Sequence, residues 1–412
     1  MAASDTYVIV GASLAGATAA TTLREEGFDG RIVLVGAEPH QPYERPPLSK
    51  GYLGGTSARA EVFVHPAGWY AENGVELSLG TTVRSIDRAA REVVLAGGER
   101  FGYDRLLLTT GSEPRRLTVP GAADFGVQYL RTLDDSERIR AAFTRARRVA
   151  IIGAGWIGLE TAAAARAAGL EVTVLESAEL PLLRVLGPEV ASVFARLHRE
   201  HGVDLRLGVD VAALVGTGAD GGGAVTGVEL GDGTTVSADL VLVGIGITPA
   251  TRLATDAGLE VADGIRVDER LRTSDPAIFA AGDVADAFHV GLGRSIRVEH
   301  WENARRQGAL AARSMLGLAG EFDRLPYFFS DQYDLGMEYV GYVEPGAYDQ
   351  VVLRGDVAGR EFIAFWLAGG KVLAGMNVNV WDVVEDVEAL IGRGRVVDAA
   401  RLADVETPLT EL

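Results

Sequence analysis

Two successive βαβ units, each turning on closely spaced glycines, and an aromatic, strand-like tail predict an α/β protein with two Rossmann-type dinucleotide-binding domains and a C-terminal α+β domain. The first unit is YVIVGASLAGATAATTLREEGFDGRIVLVGAE, residues 7–38, and the second is VAIIGAGWIGLETAAAARAAGLEVTVLESAE, residues 149–179. Each runs from an apolar strand through a glycine turn into an Ala-rich helix. A further glycine then leads to a second strand that ends in an acid, the pattern of a nucleotide-binding unit.

The repeat extends further. Residues 103–111 (YDRLLLTTG) parallel residues 238–246 (ADLVLVGIG), and short alternating stretches precede each, with turn signals at Gly97-Gly98 and Gly231-Asp232-Gly233. Each half is expected to hold a βαβ unit, a small antiparallel insertion and a returning strand. The glycine-rich run 216–223 reads as a long hairpin loop. Residues 265–284 read as strand, turn, strand and a helix start at Gly282-Asp283. From Asp323 the composition turns aromatic; 327–330, 362–366 and 372–378 read as strands and 381–391 as a terminal helix. The expected boundaries are a discontinuous first domain, 1–115 with 248–322, then a second, 116–247, and a third, 323–412.

Composition narrows the chemistry. The 412-residue chain has no cysteine, which excludes disulfides, thiolate metal sites, Cys-ligated iron–sulfur clusters and thiol catalysis. None of the six histidines pairs at metal-ligand spacing, and His198 and His201 read as surface helix residues. A net charge of −18 repels nucleic acid and anionic membranes, so neither is expected as a partner. The opening residues are polar, with no signal-peptide pattern or apolar run of spanning length, so a cytoplasmic enzyme is expected. The only two lysines are Lys50 and Lys371, in a background rich in arginine.

The glycine turns carry the first chemical reading. In the first, Gly11 allows the tight turn, the small Ser13 lets backbone approach a pyrophosphate, and Gly16 lets helix and strand pack closely. The phosphates then meet the positive end of the helix. Glu38 closes the second strand, where an acid can accept from an adenosine ribose. In the second turn Gly153, Gly155 and Gly158 take these places and Glu176 is the acid. Glu176 suits a 2′-hydroxyl and repels a 2′-phosphate, which favours NADH, although Arg184 lies nearby in sequence. Two nucleotide sites in one chain point to a flavin and a nicotinamide, between which hydride passes directly.

With these features in place, the chain resembles the NADH-dependent, FAD-containing ferredoxin reductases of cytochrome P450 and Rieske oxygenase systems (putidaredoxin reductase-like). The resemblance covers nearly the whole chain. It is carried by PYERPPLSK (42–50), LRTLDD (130–135), GWIGLE (155–160), FAAGDV (279–284) and EHWENA (299–304), in that order. It implies a glutathione reductase-like pairing of folds, with FAD on the first and NADH on the second. For FAD it implies Gly11, Ser13, Ala15, Gly16, Glu38, Arg45, Pro46, Lys50, Val83, Gly111, Arg131, Asp283 and Trp301. For the nicotinamide it implies Gly153, Gly155, Ile157, Gly158, Glu160, Glu176, Arg184 and Gly246.

Lys50 and Glu160 match a pair that meets near flavin N5 in the family and are the implied catalytic residues. Read alone, Lys50 is a surface loop residue and Glu160 an acid favoured by the helix dipole. One position departs from the family: Phe329 stands where a tryptophan is frequent, which keeps the ring and loses the indole donor.

The implied reaction is hydride transfer from NADH to FAD, then single electrons to an iron–sulfur ferredoxin that supplies a P450 or Rieske oxygenase. Disulfide and peroxide reductases of the same fold need a redox cysteine, which this chain lacks. Reduction of rubredoxin or a small acceptor such as a quinone, and an apoptosis-inducing-factor-like redox role, remain as alternatives. Docking of an acidic ferredoxin needs a local basic patch or an apolar contact. Arg294, Arg297, Arg305 and Arg306 are one candidate cluster, and Lys371, Arg393 and Arg395 a second.

Overall fold

Runs of Val, Ile and Leu, apolar on both faces, build the parallel sheets on which both glycine turns rest. The structure is a computed structural model and describes residues 5–217 and 223–412. Residues 218–222 of the expected glycine-rich hairpin loop lie outside the described residues. The chain divides into two compact units. One comprises Met1–Arg45, Ala58–Glu113 and Ile247–Pro326; the other comprises Pro46–Ser57, Pro114–Gly246 and Tyr327–Leu412.

In the first unit, five parallel strands lie in the order Ile278–Ala280, Arg105–Leu108, Thr6–Val10, Arg31–Val35 and Val75–Ser78. Val8 sits between Val33 and Leu106 and is fully buried, as a strand covered on both faces requires. The Leu14–Glu25 helix follows the first glycine turn and packs along the Trp301–Met315 helix. The expected antiparallel insertion is the sheet of Val83–Asp87, Glu92–Leu95 and Arg100–Gly102. The expected helix start at Gly282-Asp283 is a single 3₁₀ turn, Gly282–Val284, which runs into the Ala285–His289 strand; the long helix begins later, at Trp301.

In the second unit, four parallel strands lie in the order Asp204–Leu207, Glu171–Glu176, Arg148–Ile152 and Leu240–Val243. The antiparallel insertion is Val211–Gly216, Val225–Leu230 and Thr235–Ser237. The aromatic tail forms five antiparallel strands, ordered Tyr327–Gln332, Leu335–Gly341, Lys371–Val378, Glu361–Ala368 and Gln350–Asp356, followed by the Val384–Arg393 helix. This sheet and the second glycine-turn fold share one hydrophobic core. Val190, Phe194 and Leu197 of the Leu183–Glu200 helix pack with Met337, Phe362 and Trp366 of the sheet.

That shared core corrects one sequence expectation. His198 is not a surface residue: it is fully buried, whereas His201 on the same helix is half-buried. No helix among the described residues is long and apolar enough to cross a membrane.

Candidate functional site

The two glycine turns repeat one construction. Gly11 donates its N–H to the Val35 carbonyl at 2.8 Å and Gly153 does the same to Leu175 at 2.8 Å, so each turn is pinned to the end of the second strand. A Cβ on Gly16 would stand 2.2 Å from the Gly11 carbonyl oxygen, and one on Gly158 would stand 2.1 Å from that of Gly153. Those glycines are required by the protein's own packing. Gly155 is different: a Cβ there would meet no heavy atom within 4 Å. Its open side is where a bound pyrophosphate would approach the backbone.

Both following helices leave their N-termini available to an anion. Ser13 and Gly155 occupy the N-cap positions without a side-chain cap hydrogen bond, and neither helix carries an acid in its first turn. Beside the second turn, Ile157 and Ile245 hold large apolar side chains at 45% and 36% exposure, a surface suited to covering by a ligand. Sequence reasoning named Ile157 and missed Ile245. Gly246 follows it with a positive φ of 98°, and Arg184 is exposed.

The acids at the strand ends differ. Glu38 accepts from the Tyr43 hydroxyl and from Arg45 Nη2 at 3.2 Å. Glu176 accepts the backbone N–H groups of Ala154 and Ala178, at 2.7 and 2.9 Å, and so holds the glycine turn from across the unit.

Elsewhere in the first unit, Asp283 accepts the hydroxyl of the buried Ser112 at 2.9 Å. Gln307 accepts the Gly282 N–H at 2.8 Å, while its buried Nε2 finds no acceptor among the described residues. This amide donor, next to the Gly282-Asp283 turn, fits an acceptor supplied by a bound nucleotide. Neither Ser112 nor Gln307 was expected from the sequence, because each acts through a residue distant along the chain. Ala15 is buried against Gly308, Val83 is buried in its strand, and Gly111 takes a positive φ of 67°. Trp301 opens its helix beside Glu44, whose carboxyl is pushed up chiefly by burial.

In the second unit, Pro46 opens a 3₁₀ turn ending at Ser49, and Arg131 donates its backbone N–H to Asp135 at 3.0 Å. The structure brings Lys50 and Glu160 together: Lys50 Nζ lies 2.9 Å from Glu160 Oε1. Glu160 is 5% exposed and also accepts the hydroxyls of Ser49 at 2.5 Å and Ser330 at 2.7 Å. Two hydroxyl donors and a cation compensate for burying this carboxylate. The first turn of the Trp156–Ala167 helix holds no acid, so Glu160 is not the dipole-capping residue its sequence position also allowed. The Lys50 ammonium lies 5.5 Å from the centre of the Phe329 ring, a cation–π contact that needs no indole. Nearby, the Asp331 carboxyl is pushed up by desolvation first and by the charges of Glu160 and Glu338, against the pull of Lys50.

Three arginines of the first expected basic cluster are paired with acids. Arg305 and Arg306 both clamp Glu302, at 2.8 and 2.6 Å. Arg297 is paired with Asp263 and Glu299, and Arg294 is exposed. Arg393 and Arg395 hydrogen-bond the Leu412 carbonyl, and Lys371 is exposed.

Fold and site together define a protein with two dinucleotide-binding folds and a lysine paired with a buried glutamate. The chain belongs to the pyridine nucleotide-disulphide oxidoreductase family, whose model matches residues 5–308; a reductase C-terminal model matches residues 327–412. It is 43% identical over 405 residues to the anthranilate 1,2-dioxygenase system ferredoxin–NAD(+) reductase component of Burkholderia cepacia, covering 97% of each chain. It is similar to the ferredoxin reductase for the CYP199A2 system of Rhodopseudomonas palustris, with a TM-score of 0.93, 40% identity and 99% of each chain covered. It also matches the covalent putidaredoxin reductase–putidaredoxin complex, with a TM-score of 0.94 and 38% identity, over 99% of this chain and 98% of that one. The disulphide chemistry in the family name is closed to this chain, which has no cysteine.

Proposed function

We propose that this protein is an NADH:ferredoxin oxidoreductase that carries FAD and supplies single electrons to an iron–sulfur ferredoxin serving a P450 or Rieske oxygenase. The observation that carries the reading is the pair of uncapped glycine-turn helices, with Gly155 opening onto free space, in a chain without a redox cysteine. The names of the matched relatives agree with it. In this reading residues 1–115 with 248–322 form the FAD domain, 116–247 the NAD domain and 323–412 the C-terminal domain.

Bound FAD would supply the chemistry, accepting two electrons as hydride from NADH and giving them up singly to a one-electron acceptor. The chain's own residues bind and orient. Gly11 and Gly16 shape the turn and Ser13 opens the helix whose first N–H groups would meet the FAD pyrophosphate, and Glu38 would take the adenosine ribose. Ser112 holds Asp283 ready to accept from the ribityl chain. Val83, Gly111, Arg131, Trp301 and the Arg45-Pro46 pair line the cofactor. On the other fold, Gly153, Gly155 and Gly158 receive the nicotinamide dinucleotide and Glu176 selects NADH by repelling a 2′-phosphate. Lys50 sets a cation where negative charge develops during the hydride step, and Glu160 keeps that cation in place.

Anaerobic titration tests the reading. The purified yellow holoprotein is expected to be bleached by NADH at much lower concentration than by NADPH, and then recoloured by an added oxidised ferredoxin. A protein with no extractable flavin, or one bleached by NADH but recoloured only by a quinone, overturns it.

A further inference from the structure

Behind the Lys50–Glu160 pair runs a chain of buried polar side chains that no hydride-transfer role has yet used. Ser330 Oγ stands 2.7 Å from Glu160 Oε1, and Gln332 Nε2 stands 3.1 Å from Ser330 Oγ. Gln332 Oε1 stands 2.8 Å from His198 Nε2, and His198 Nδ1 lies 3.5 Å from the Tyr333 hydroxyl. Ser330 and Gln332 are each 1% exposed and His198 is fully buried.

The chain has one consistent direction. An ionised carboxylate only accepts, so the Ser330 hydroxyl must donate to Glu160. Its oxygen is then free to accept, and the Gln332 amide nitrogen, which only donates, faces it. The Gln332 carbonyl is left facing His198, so the imidazole must carry its proton on Nε2. Turning the Gln332 amide over would point its carbonyl at Ser330 and draw the hydroxyl proton away from Glu160. Two oxygens would then face each other at 2.7 Å without a proton between them.

We propose that Ser330, Gln332 and His198 are positioning residues that deliver a fixed hydroxyl donor to Glu160, and so hold it as the anionic partner of Lys50 during flavin reduction. The proposal rests on the assignment of Lys50 and Glu160 to the hydride step. Burial pushes the His198 imidazole down to about 4, with the nearby His201 lowering it further and Gln332 opposing, so the ring is neutral at working pH and has a single proton to place. The chain also gives the aromatic tail a part in the chemistry, since Ser330 and Gln332 both lie on its first strand, Tyr327–Gln332.

Two measurements on the holoenzyme test this. Nitrogen-15 NMR of histidine-labelled protein should show His198 as the neutral Nε2–H tautomer at neutral pH; the Nδ1–H tautomer overturns the direction and the proposal with it. Stopped-flow reduction by NADH should be slowed about tenfold in Ser330→Ala and in Gln332→Glu, the scale of one lost charge-assisted bond, with NADH affinity held within about twofold. Gln332→Glu keeps the shape and removes the donor; Ser330→Thr keeps the hydroxyl and should restore the rate. Wild-type rates in both Ser330→Ala and Gln332→Glu, with Lys50→Met and Glu160→Gln severely slowed, overturn the chain and leave the pair standing. Unchanged rates in Lys50→Met and Glu160→Gln overturn the pair and the chain together. If Gln332→Glu fails to retain flavin, Ser330→Ala with the Ser330→Thr rescue and the tautomer carry the decision.

Discussion

Glu176 and Ala154 are joined by a hydrogen bond of 2.7 Å from the Ala154 backbone N–H to the Glu176 carboxylate. The acid that ends one strand thereby fastens the glycine turn that ends another. The same carboxylate takes the Ala178 N–H, so its negative charge is anchored at the edge of the turn where an adenosine ribose would lie.

From this anchoring follows a prediction about cofactor choice. In Glu176→Ala the repulsion against a 2′-phosphate is gone and the exposed Arg184 remains. The ratio of kcat/KM for NADH to that for NADPH should fall by about tenfold or more, the equivalent of ~1.4 kcal/mol of lost discrimination. Steady-state assays with both nucleotides measure it, and an unchanged ratio would remove Glu176 from the specificity determinants.

Gly155 and Gly158 should separate ligand need from packing need. Gly158→Ala drives a methyl to 2.1 Å from the Gly153 carbonyl oxygen, so the variant should lose several degrees of thermal midpoint or fail to accumulate. Gly155→Ala points its methyl into open space and should melt like the wild type. Its KM for NADH should nonetheless rise about tenfold, because the methyl occupies the approach of the pyrophosphate. Thermal melts paired with NADH kinetics check both; a normal KM in Gly155→Ala argues against nucleotide binding at this turn.

These contrasts show what sequence could carry. The glycine turns were legible because their logic is local: a strand, two or three spaced glycines, a helix and an acid lie within about one βαβ unit. Lys50 and Glu160 are distant in sequence, and resemblance rather than spacing brought them together. Ser330 lies 170 positions from the Glu160 it bonds, and Gln332 lies 134 positions from His198. No pattern in the chain marks such pairs. His198 was misread for a related reason: its helix is covered on a second face by the aromatic tail, a burden that helical periodicity alone does not reveal. In the first basic cluster, acids such as Glu302 and Asp263 pair with Arg297, Arg305 and Arg306 in three dimensions, which the order of residues along the chain does not show.

Trp366 offers a stability test of that covered face. It is 1% exposed and donates its indole N–H to the Leu186 carbonyl at 3.1 Å, just before Gly187 leaves helical geometry at φ 73°. The indole thereby ties the aromatic sheet to the helix at its kink. Trp366→Phe should cost about 1 kcal/mol through the lost hydrogen bond, with a further loss from the smaller ring. Urea unfolding followed by circular dichroism should show an earlier midpoint; an unchanged midpoint would mean the bond adds nothing to the unit.

His198 predicts how stability varies with pH. Burial holds the folded imidazole at about 4, below the value of about 6.5 in an unfolded chain. Between those limits the unfolded chain binds a proton that the native protein refuses, so protons favour unfolding. The stabilisation is therefore complete above pH about 6.5 and drains away as pH falls toward 4, by up to about 3 kcal/mol. Below that value the native ring also charges and the loss levels off. In His198→Gln this contribution is absent, while every other titrating group stays in place. Urea midpoints measured from pH 7 to pH 4 should consequently fall less steeply in the variant than in the wild type, whatever constant offset the lost ring imposes. Parallel slopes would show that the imidazole is not held neutral by its surroundings, and would also remove the fixed proton on which the direction of the Gln332–Ser330 chain depends.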